Sequence, residues 1–180
     1  MTSKQKEYLL NLARSSIDHY LIYNSKYDPV LPEDLELTKE RAVFVTLNRN
    51  SDLRGCIGHM KARMPLFKAV AEMANAAAFE DYRFSPVKKS ELDNIKIEIS
   101  ILSPMHKIQN YRKIRLGIDG VLINKGFHSG VFLPQVATET GWDLITFLSN
   151  LCLHKAGLPS EAFLDPETDI YIFQIEKITD

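Results

Sequence analysis

The stretch Ile95–Leu102, which reads IKIEISIL, decides the fold class because isoleucine alternates with Lys96, Glu98 and Ser100 along its length. Successive side chains of a β-strand point to opposite faces of a sheet. The pattern therefore predicts a half-buried strand whose isoleucines face the core. Its three polar side chains are predicted to share the other face.

Two more strands precede this one in the sequence. Ala42–Leu47 (AVFVTL) is rich in β-branched residues, and Leu53–Met60 is the next candidate strand. The residues between them, Asn48–Asp52, are of the types that form tight turns. The two strands are therefore predicted to pair as a hairpin.

Helices are predicted where apolar residues recur at every third or fourth position. These segments are Tyr8–Leu21, Pro65–Phe79, a region opened by Pro134, and Trp142–Ala156, which Gly157 and Pro159 stop. Short strands are expected at 113–118, 120–124 and 130–133, a last strand at 170–178, and a loop at 24–39. Few connections in this order are βαβ crossovers, so it favours an α+β fold with antiparallel-rich sheets and flanking helices, in a single domain over residues 1–180.

Composition narrows the class of protein further. The 180 residues carry 22 basic and 23 acidic side chains, a net charge of −1, and this balance argues against a main role in binding nucleic acid. Two cysteines, Cys56 and Cys152, are too few for a disulfide framework and favour a reducing compartment. The polar first residues and the lack of a long apolar run predict a cytoplasmic protein without a membrane segment.

Strand parity brings several reactive side chains to one sheet face. In the first hairpin strand Val43, Val45 and Leu47 form the expected core set, which leaves Thr46 opposite; in the second strand Leu53 and Ile57 are the expected core set. If the three strands share a sheet, its second face carries the following polar or small residues: Thr46, Arg54, Cys56, Gly58, Glu98 and Ser100. A thiol, a guanidinium, a carboxylate and two hydroxyls on one face are predicted to form a functional site.

Cys56 is the first candidate for chemistry, since a nearby cation such as Arg54 lowers the pKa of a thiol and makes it a better nucleophile. The alternative is a small buried residue in a tight hairpin. Gly55 and Gly58 leave room for a ligand or for another backbone. Glu98 is either a general base or ligand-binding carboxylate, or a solvated charge that pairs with Arg54.

Other constellations are weaker. Asp81 and Arg83 either close over a cleft or form a surface ion pair. Cys56 and His59 are three positions apart and so face opposite ways on a strand, and the remaining histidines lack ligand-like spacing, so we expect no metal site. No phosphate-binding loop, serine nucleophile elbow or Cys-x-x-Cys pair is present, and no cofactor is expected.

A family resemblance extends over most of the chain. LRGCIG at Leu53–Gly58 resembles the hallmark hexapeptide of the AMMECR family. Further similar blocks are FVTL at 44–47, AAFEDYRFSPV at 77–87, EISILSP at 98–104, GIDGVLI from Gly117, GVFLPQVATETGWD from Gly130 and KAGL at 155–158. The resemblance implies a mixed α/β domain of two unequal lobes around a cleft, with the larger lobe built from both chain ends and the smaller from the middle.

The resemblance also implies site residues and partners. The motif positions that carry over are Arg54, Gly55, Cys56, Gly58, Asp81, Arg83, Glu98, Gln135 and Trp142. Prokaryotic members resemble component A of the AmmeMemoRadiSam system, which implies a Memo-like protein and a radical SAM enzyme as partners. The leading interpretation is an enzyme with Cys56 as nucleophile, Glu98 as acid/base and Arg54 as its cation, acting on an unknown small molecule or protein group. The alternative is a non-catalytic binding or adaptor protein, ahead of a nucleic-acid-associated regulator.

Overall fold

The computed structural model describes the whole chain, Met1–Asp180, and divides it into two compact units. Unit 1 comprises Met1–Leu102 and Glu176–Asp180, and unit 2 comprises Ser103–Ile175. Each unit holds a four-stranded sheet packed on helices, and the predicted α+β class is confirmed. No helix combines the length and the apolar character needed to cross a membrane.

Unit 1 is built from two helices and four strands. The helices are α1 (Ser3–Tyr23) and α2 (Leu66–Phe79); the strands are β1 (Val43–Arg49), β2 (Asp52–Gly58), β3 (Ile95–Leu102) and β8 (Ile175–Thr179). The strand order is β2-β1-β3-β8, so β2 is an edge strand. A short 3₁₀ helix at Lys89–Asn94 leads into β3.

The core of unit 1 follows the predicted alternation. Ile95, Ile97, Ile99 and Ile101 of β3 are all buried, as are the predicted core residues of β1. Helix α1 begins with a capping box formed by Thr2 and Gln5, and its apolar stripe packs against α2. Helix α2 is alanine-rich and buried along most of its length, so it lies close to β1 and β2. The loop predicted at 24–39 contains no helix or strand.

Unit 2 has its own sheet and core. Its strands are β4 (His106–Ile108), β5 (Gly120–Lys125), β6 (His128–Phe132) and β7 (Asp169–Phe173), in the order β4-β7-β5-β6. Its helices are α3 (Pro134–Thr140) and α4 (Leu144–Asn150), and α4 continues as a π-helix over Leu151–Ala156. Cys152 of that π-helix is fully buried in the apolar core.

The strand predicted at 113–118 is wrong. The segment contains the end of a 3₁₀ turn at Tyr111–Lys113 and then a turn. Arg115 and the buried Asp119 explain the difference, because the carboxylate of Asp119 accepts hydrogen bonds from both the backbone and the guanidinium of Arg115. This local pairing four residues apart closes a turn and excludes an extended strand.

Candidate functional site

Four polar side chains form a row across the outer face of the unit 1 sheet, the face turned away from α2. Thr46 of β1 lies opposite Cys56 of β2 on one side and opposite Glu98 of β3 on the other. Directly paired residues of antiparallel strands share a face, so these three side chains stand side by side. Lys177 of β8 extends the row, with its ammonium nitrogen 3.0 Å from Oε1 of Glu98. We call Cys56, Thr46, Glu98 and Lys177 the polar row.

The thiol of Cys56 is half-buried and has a hydroxyl neighbour. Its Sγ lies 3.2 Å from Oγ1 of Thr46, within the distance of a sulfur hydrogen bond. The alternative of a fully buried cysteine therefore does not describe Cys56, and the thiol is a neighbour of the only hydroxyl in the polar row. A hydroxyl in this position can donate a hydrogen bond to a thiolate.

Two charged residues hold the backbone of Cys56 at the open edge of the sheet. The N–H of Cys56 donates to Oδ2 of Asp81 at 2.8 Å, and Nη2 of Arg83 donates to the carbonyl oxygen of Cys56 at 3.1 Å. Both groups satisfy backbone atoms that an edge strand otherwise leaves unpaired. We call Asp81 and Arg83 the edge clamp. Its two residues are a predicted site pair, but no pattern in the sequence indicates that they bind the strand of Cys56.

The electrostatics of the edge clamp keep it ionised. Asp81 is buried, and it accepts hydrogen bonds from Nε and Nη2 of Arg83 at 2.9 and 2.7 Å. These bonds hold the pKa of the Asp81 carboxyl well below its usual range, against the opposing effect of burial, and the N–H of Cys56 lowers it further. The carboxylate of this ion pair is buried, whereas the side chain of Arg83 is exposed.

Arg54 does not share a face with Cys56, contrary to the prediction from parity. Gly55 pairs with Leu47 and Leu53 pairs with Asn48, so Arg54 is the extra residue of a β-bulge. The bulge reverses the alternation, and Leu53, predicted to be in the core, is 43% exposed. The predicted faces of Leu53 and Arg54 are wrong because side chains alternate regularly only along an unbroken strand.

The guanidinium of Arg54 binds a carboxylate that the sequence analysis missed. Its Nε and Nη2 donate to the two carboxylate oxygens of Glu91 at 3.0 and 3.1 Å, and Arg49 donates to Oε1 as well. Since Arg49 has the parity of the buried Leu47, this cluster lies at the rim of the inner face. The predicted pair of Arg54 with Glu98 is therefore wrong, and Glu98 pairs with Lys177 instead.

Glu91 is strongly stabilised as a carboxylate. The hydrogen bonds from Arg54 are the main cause, the N–H of Lys88 adds to them, and together they lower the pKa of Glu91 to about 2. Arg54 thus serves the connection between the β2 bulge and the 3₁₀ helix that precedes β3. It is not available as the cation beside the thiol.

The two glycines of LRGCIG are required by packing inside the protein. A Cβ atom added to Gly55 would lie 2.1 Å from the carbonyl oxygen of Ala77, so this glycine lets α2 approach the strand. A Cβ atom added to Gly58 would lie 2.3 Å from the ring of Phe44 and 2.5 Å from the carbonyl oxygen of Val43. The room predicted at these positions for a ligand or for another backbone is therefore filled by the backbone of α2 at Gly55, and by Phe44 and the backbone of Val43 at Gly58.

Three predicted site residues lie outside the polar row: Ser100 is in β3 of unit 1, and Gln135 and Trp142 are in unit 2. Ser100 is buried on the outer face of β3, opposite Phe44. Gln135 is half-buried in the first turn of α3, and Trp142 packs against the core of unit 2 with its ring centroid 6.2 Å from that of Phe132. No cluster of three or more His, Cys, Asp or Glu side chains is suited to a metal ion.

A cavity of about 560 Å³ lies beside the polar row, at the end of the sheet where the β1–β2 hairpin turns. We call it the hairpin cavity. It is lined by Asn48, Asn50, Ser51, Asp93, Asn94, Ile95, Lys96, Ile97, Glu98, Thr179 and Asp180. Glu98 belongs both to this lining and to the polar row, whereas Cys56 is outside the lining. Alternation along β3 predicts that Lys96 and Glu98 share a face, but no local pattern indicates a cavity, because its walls come from three separate segments of the chain.

The comparisons with known proteins agree on one family. A family model described as AMMECR1 matches residues 10–178. A protein of Methanothermobacter thermautotrophicus is 44% identical over 176 residues, which cover 93% of this chain and 90% of that protein. A protein of Thermococcus onnurineus is also 44% identical, over 94% of this chain and 87% of its own length. The crystal structure of the uncharacterised protein PH0010 from Pyrococcus horikoshii superposes with a TM-score of 0.83 at 40% identity, covering 98% of this chain and 92% of that one.

Proposed function

The chain belongs to the AMMECR1 family, and on that premise we propose that it is a thiol-dependent enzyme that acts on a small molecule or a protein group. One observation carries the proposal: the half-buried thiol of Cys56 lies 3.2 Å from a hydroxyl, in a row with a carboxylate. A cysteine that serves packing alone has no need of polar neighbours, and free cysteines are commonly fully buried. Cys152 of the same chain is an example.

The polar row suggests a role for each of its members. Cys56 is the nucleophile, and Thr46 donates a hydrogen bond to its thiolate. Neighbouring strands lie about 4.8 Å apart, so the backbones of Cys56 and Glu98 are roughly 10 Å apart on either side of Thr46, and a molecule bound over Thr46 can reach both side chains. The thiolate forms a bond to an electrophilic carbon of that molecule, and its proton passes to Glu98 through the molecule or a water. Glu98 then gives this proton to the departing group as the bond between that group and the carbon breaks, which leaves the carbon bonded to the sulfur of Cys56. A water molecule then attacks the same carbon, the sulfur–carbon bond breaks, and the proton of the water restores the thiol.

The edge clamp supports this chemistry by fixing the strand. Asp81 and Arg83 hold the N–H and the carbonyl of Cys56 at once, so the peptide groups on both sides of the nucleophile are restrained. A catalytic side chain must be held within a fraction of an ångström of its productive position. We therefore assign the clamp a positioning role and leave Arg54 out of the reaction, since its charge is taken up by Glu91.

We place the proposed reaction in the cytoplasm, together with a Memo-like protein and a radical SAM enzyme as partners. The family resemblance supports the partners, and the two free cysteines support a reducing compartment. Gln135 and Trp142 are kept as proposed contributors to ligand binding on the basis of the same resemblance.

The experiment compares the purified wild-type protein with Cys56→Ser and Cys152→Ser variants in a metabolite extract. Substrate loss is followed by mass spectrometry, and a covalent adduct is sought on peptides that contain Cys56. The proposal expects turnover or an adduct for the wild type and for Cys152→Ser, and neither for Cys56→Ser. Full turnover by a folded Cys56→Ser variant would refute it.

A second candidate function, a non-catalytic binding or adaptor protein, is favoured by one specific observation. The hairpin cavity is lined by Glu98 but does not include Cys56, so a molecule can be held there without reaching the thiol. Under this alternative the Cys56→Ser variant retains ligand and partner binding, and no protein in the series turns over any metabolite. A nucleic-acid-associated regulator has less support, because the net charge is −1.

A further inference from the structure

We infer that the hairpin cavity binds a small zwitterion, a molecule of amino-acid size that carries both a carboxylate and an ammonium group. The inference deepens the proposed function by naming the class of its substrate, and it rests on that function only for the step at Cys56. A volume of about 560 Å³ falls in the range of small-molecule sites. The molecule is identified from the charges that the cavity presents.

Four charged residues line the cavity, and two of them are already neutralised. Glu98 pairs with Lys177 at 3.0 Å, and Asp180 pairs with Arg14 while it also accepts the N–H of Ile97 at 2.7 Å. These two carboxylates therefore present little free charge to a ligand. They hold the walls of the cavity in place: Glu98 binds Lys177 of β8, and Asp180 joins the end of the chain to Arg14 and to the backbone of Ile97.

Lys96 and Asp93 remain, and neither takes part in a salt bridge. One free ammonium and one free carboxylate on the walls of a single cavity match a ligand with one charge of each sign. A ligand with a net charge leaves one of the two without a counter-charge. Opposite charges within a few ångströms gain more in a partly enclosed cavity than on an open surface.

The neutral groups of the lining suit the same ligand. Three amides, those of Asn48, Asn50 and Asn94, and two hydroxyls, those of Ser51 and Thr179, complete the polar walls. An amide both donates and accepts hydrogen bonds, so it can serve either a carboxylate or an ammonium group. The β1–β2 turn presents two of these residues, Asn50 and Ser51, which both have positive φ angles of 51° and 70°.

The position of the cavity connects it to the thiol. Asn48 lies directly opposite Lys96 and two residues from Thr46 on the same face of β1. Two residues of a strand span about 6.7 Å, so a zwitterion whose charged end lies at Lys96 extends over Thr46 toward Cys56. The remote charges then hold the molecule while its other end meets the polar row, which is how binding energy is used to orient a reacting group.

The test measures binding by ligand-observed NMR and calorimetry on the full-length chain, with each of the twenty standard L-amino acids as a probe. For any amino acid that binds, its N-acetyl derivative lacks the ammonium group and its α-amide lacks the carboxylate. We expect binding in the millimolar range or tighter, and at least a tenfold loss of affinity for both derivatives. Absence of binding by all twenty probes overturns the inference, and so does a derivative of either kind that binds as tightly as its parent amino acid.

Variants locate the bound molecule. Lys96→Met and Asp93→Asn, both at exposed positions, are expected to lower affinity at least tenfold, whereas the matched control Lys4→Met, on α1 outside the cavity, is expected to bind like the wild type. Equal binding by Lys96→Met and Lys4→Met overturns the inference. Cys56→Ser is expected to retain binding; if a folded Cys56→Ser variant loses it, the ligand lies on the thiol and the cavity assignment fails. Intact binding without any Cys56-dependent turnover defeats the proposed function and leaves this inference standing.

Discussion

Each of the two cysteines of this chain lies near a glycine that lets a strand pack closely on a helix. The polarity and the exposure of the two thiols differ. Near Cys56, Gly55 lets strand β2 approach the backbone of α2 at Ala77. Near Cys152, Gly130 lets strand β6 approach the helix at Ala156. Each region is thus a strand packed closely on a helix.

The two thiols have different neighbours. Cys152 is fully buried among apolar side chains, and burial raises the pKa of its thiol. Cys56 lies on the opposite face of its strand from the helix, where it has a hydroxyl neighbour and a backbone held by Asp81 and Arg83. A glycine that packs near a cysteine therefore reports only on close packing, whereas polar neighbours of the thiol distinguish a candidate reactive group.

The largest expected effect comes from substitution of the two glycines that lie against helix backbone. Gly55→Ala and Gly130→Ala each place a Cβ atom against helix backbone, at 2.1 Å from the oxygen of Ala77 and at 2.5 Å from the nitrogen of Ala156. Backbone atoms cannot move aside as a flexible side chain can, so we expect each variant to lose about 3 kcal/mol or more of its free energy of unfolding. Urea denaturation measures this loss.

Gly126→Ala is the control for the glycine variants. Nothing lies within 4 Å of its added Cβ atom, and only its φ of +57° resists the change, so we expect a loss of about 1 kcal/mol. If Gly55→Ala is as stable as this control, the glycine beside Cys56 does not serve packing, and the parallel between the two regions fails.

The second prediction separates the two thiols by reactivity. Iodoacetamide at pH 7 should label Cys56 about a hundredfold faster than Cys152, because Cys152 reacts only when its core opens. Peptide mass spectrometry over a time course gives both rates. Arg54→Met should leave the rate at Cys56 unchanged, since its guanidinium contacts Glu91 on the inner side. Equal or slower labelling of Cys56 would contradict the assignment of a reactive thiol.

The sequence predicted most of the elements around Cys56 correctly. The isoleucine alternation placed Ile95–Leu102 as a strand, and the register puts Glu98 on the outer face as that alternation requires. The alternation predicted for β1 and β2 also places Thr46 and Cys56 on one face, as their pairing in the structure shows. These successes have a common cause: alternation along one strand is a local property, and a buried face enforces it.

Two features lie beyond any local pattern. The bulge at Arg54 adds one residue to one strand, and no residue type marks the position in advance. The partner of Arg54, Glu91, lies 37 residues farther along the chain, at the entrance to β3. Lys177 was detectable in principle, because the buried Ile178 predicts that its neighbour faces outward, but its pairing with Glu98 depends on β8 lying beside β3.

The third prediction uses acid to weaken the ion pair that holds Arg54, two residues before Cys56 in β2. The pKa of Glu91 is about 2 in the folded chain against an ordinary value of 4.5, so its carboxylate contributes stability above pH 4.5. That contribution is lost as the pH falls from 4.5 toward 2. We expect it to be about 2 kcal/mol and to be absent from Glu91→Gln, whose stability should vary less over this range.

Urea denaturation at several pH values between 2 and 5 measures the difference between the two proteins. Ion pairs of unit 2, such as Arg115 with Asp119 and Lys125 with Asp165, are the same in both proteins, so the difference between the curves reports on Glu91. Parallel stability curves for the wild type and Glu91→Gln would show that Arg54 and Glu91 contribute nothing that depends on pH.

The smallest expected effect comes from exchanging each thiol for a hydroxyl. Cys152→Ser introduces a hydroxyl into a fully buried apolar core, which should lower the free energy of unfolding by about 2 kcal/mol. Cys56→Ser keeps a partner for its hydroxyl in Thr46 and remains half-buried, so its loss should stay below about 1 kcal/mol.

Urea denaturation of both variants at pH 7 gives the difference, and a Thr46→Val, Cys56→Ser double variant tests its cause, because removal of the partner should increase the cost of the serine. If Cys56→Ser is as destabilising as Cys152→Ser while Thr46 is present, the thiol of Cys56 is held by packing, and the contrast between the two cysteines loses its physical basis.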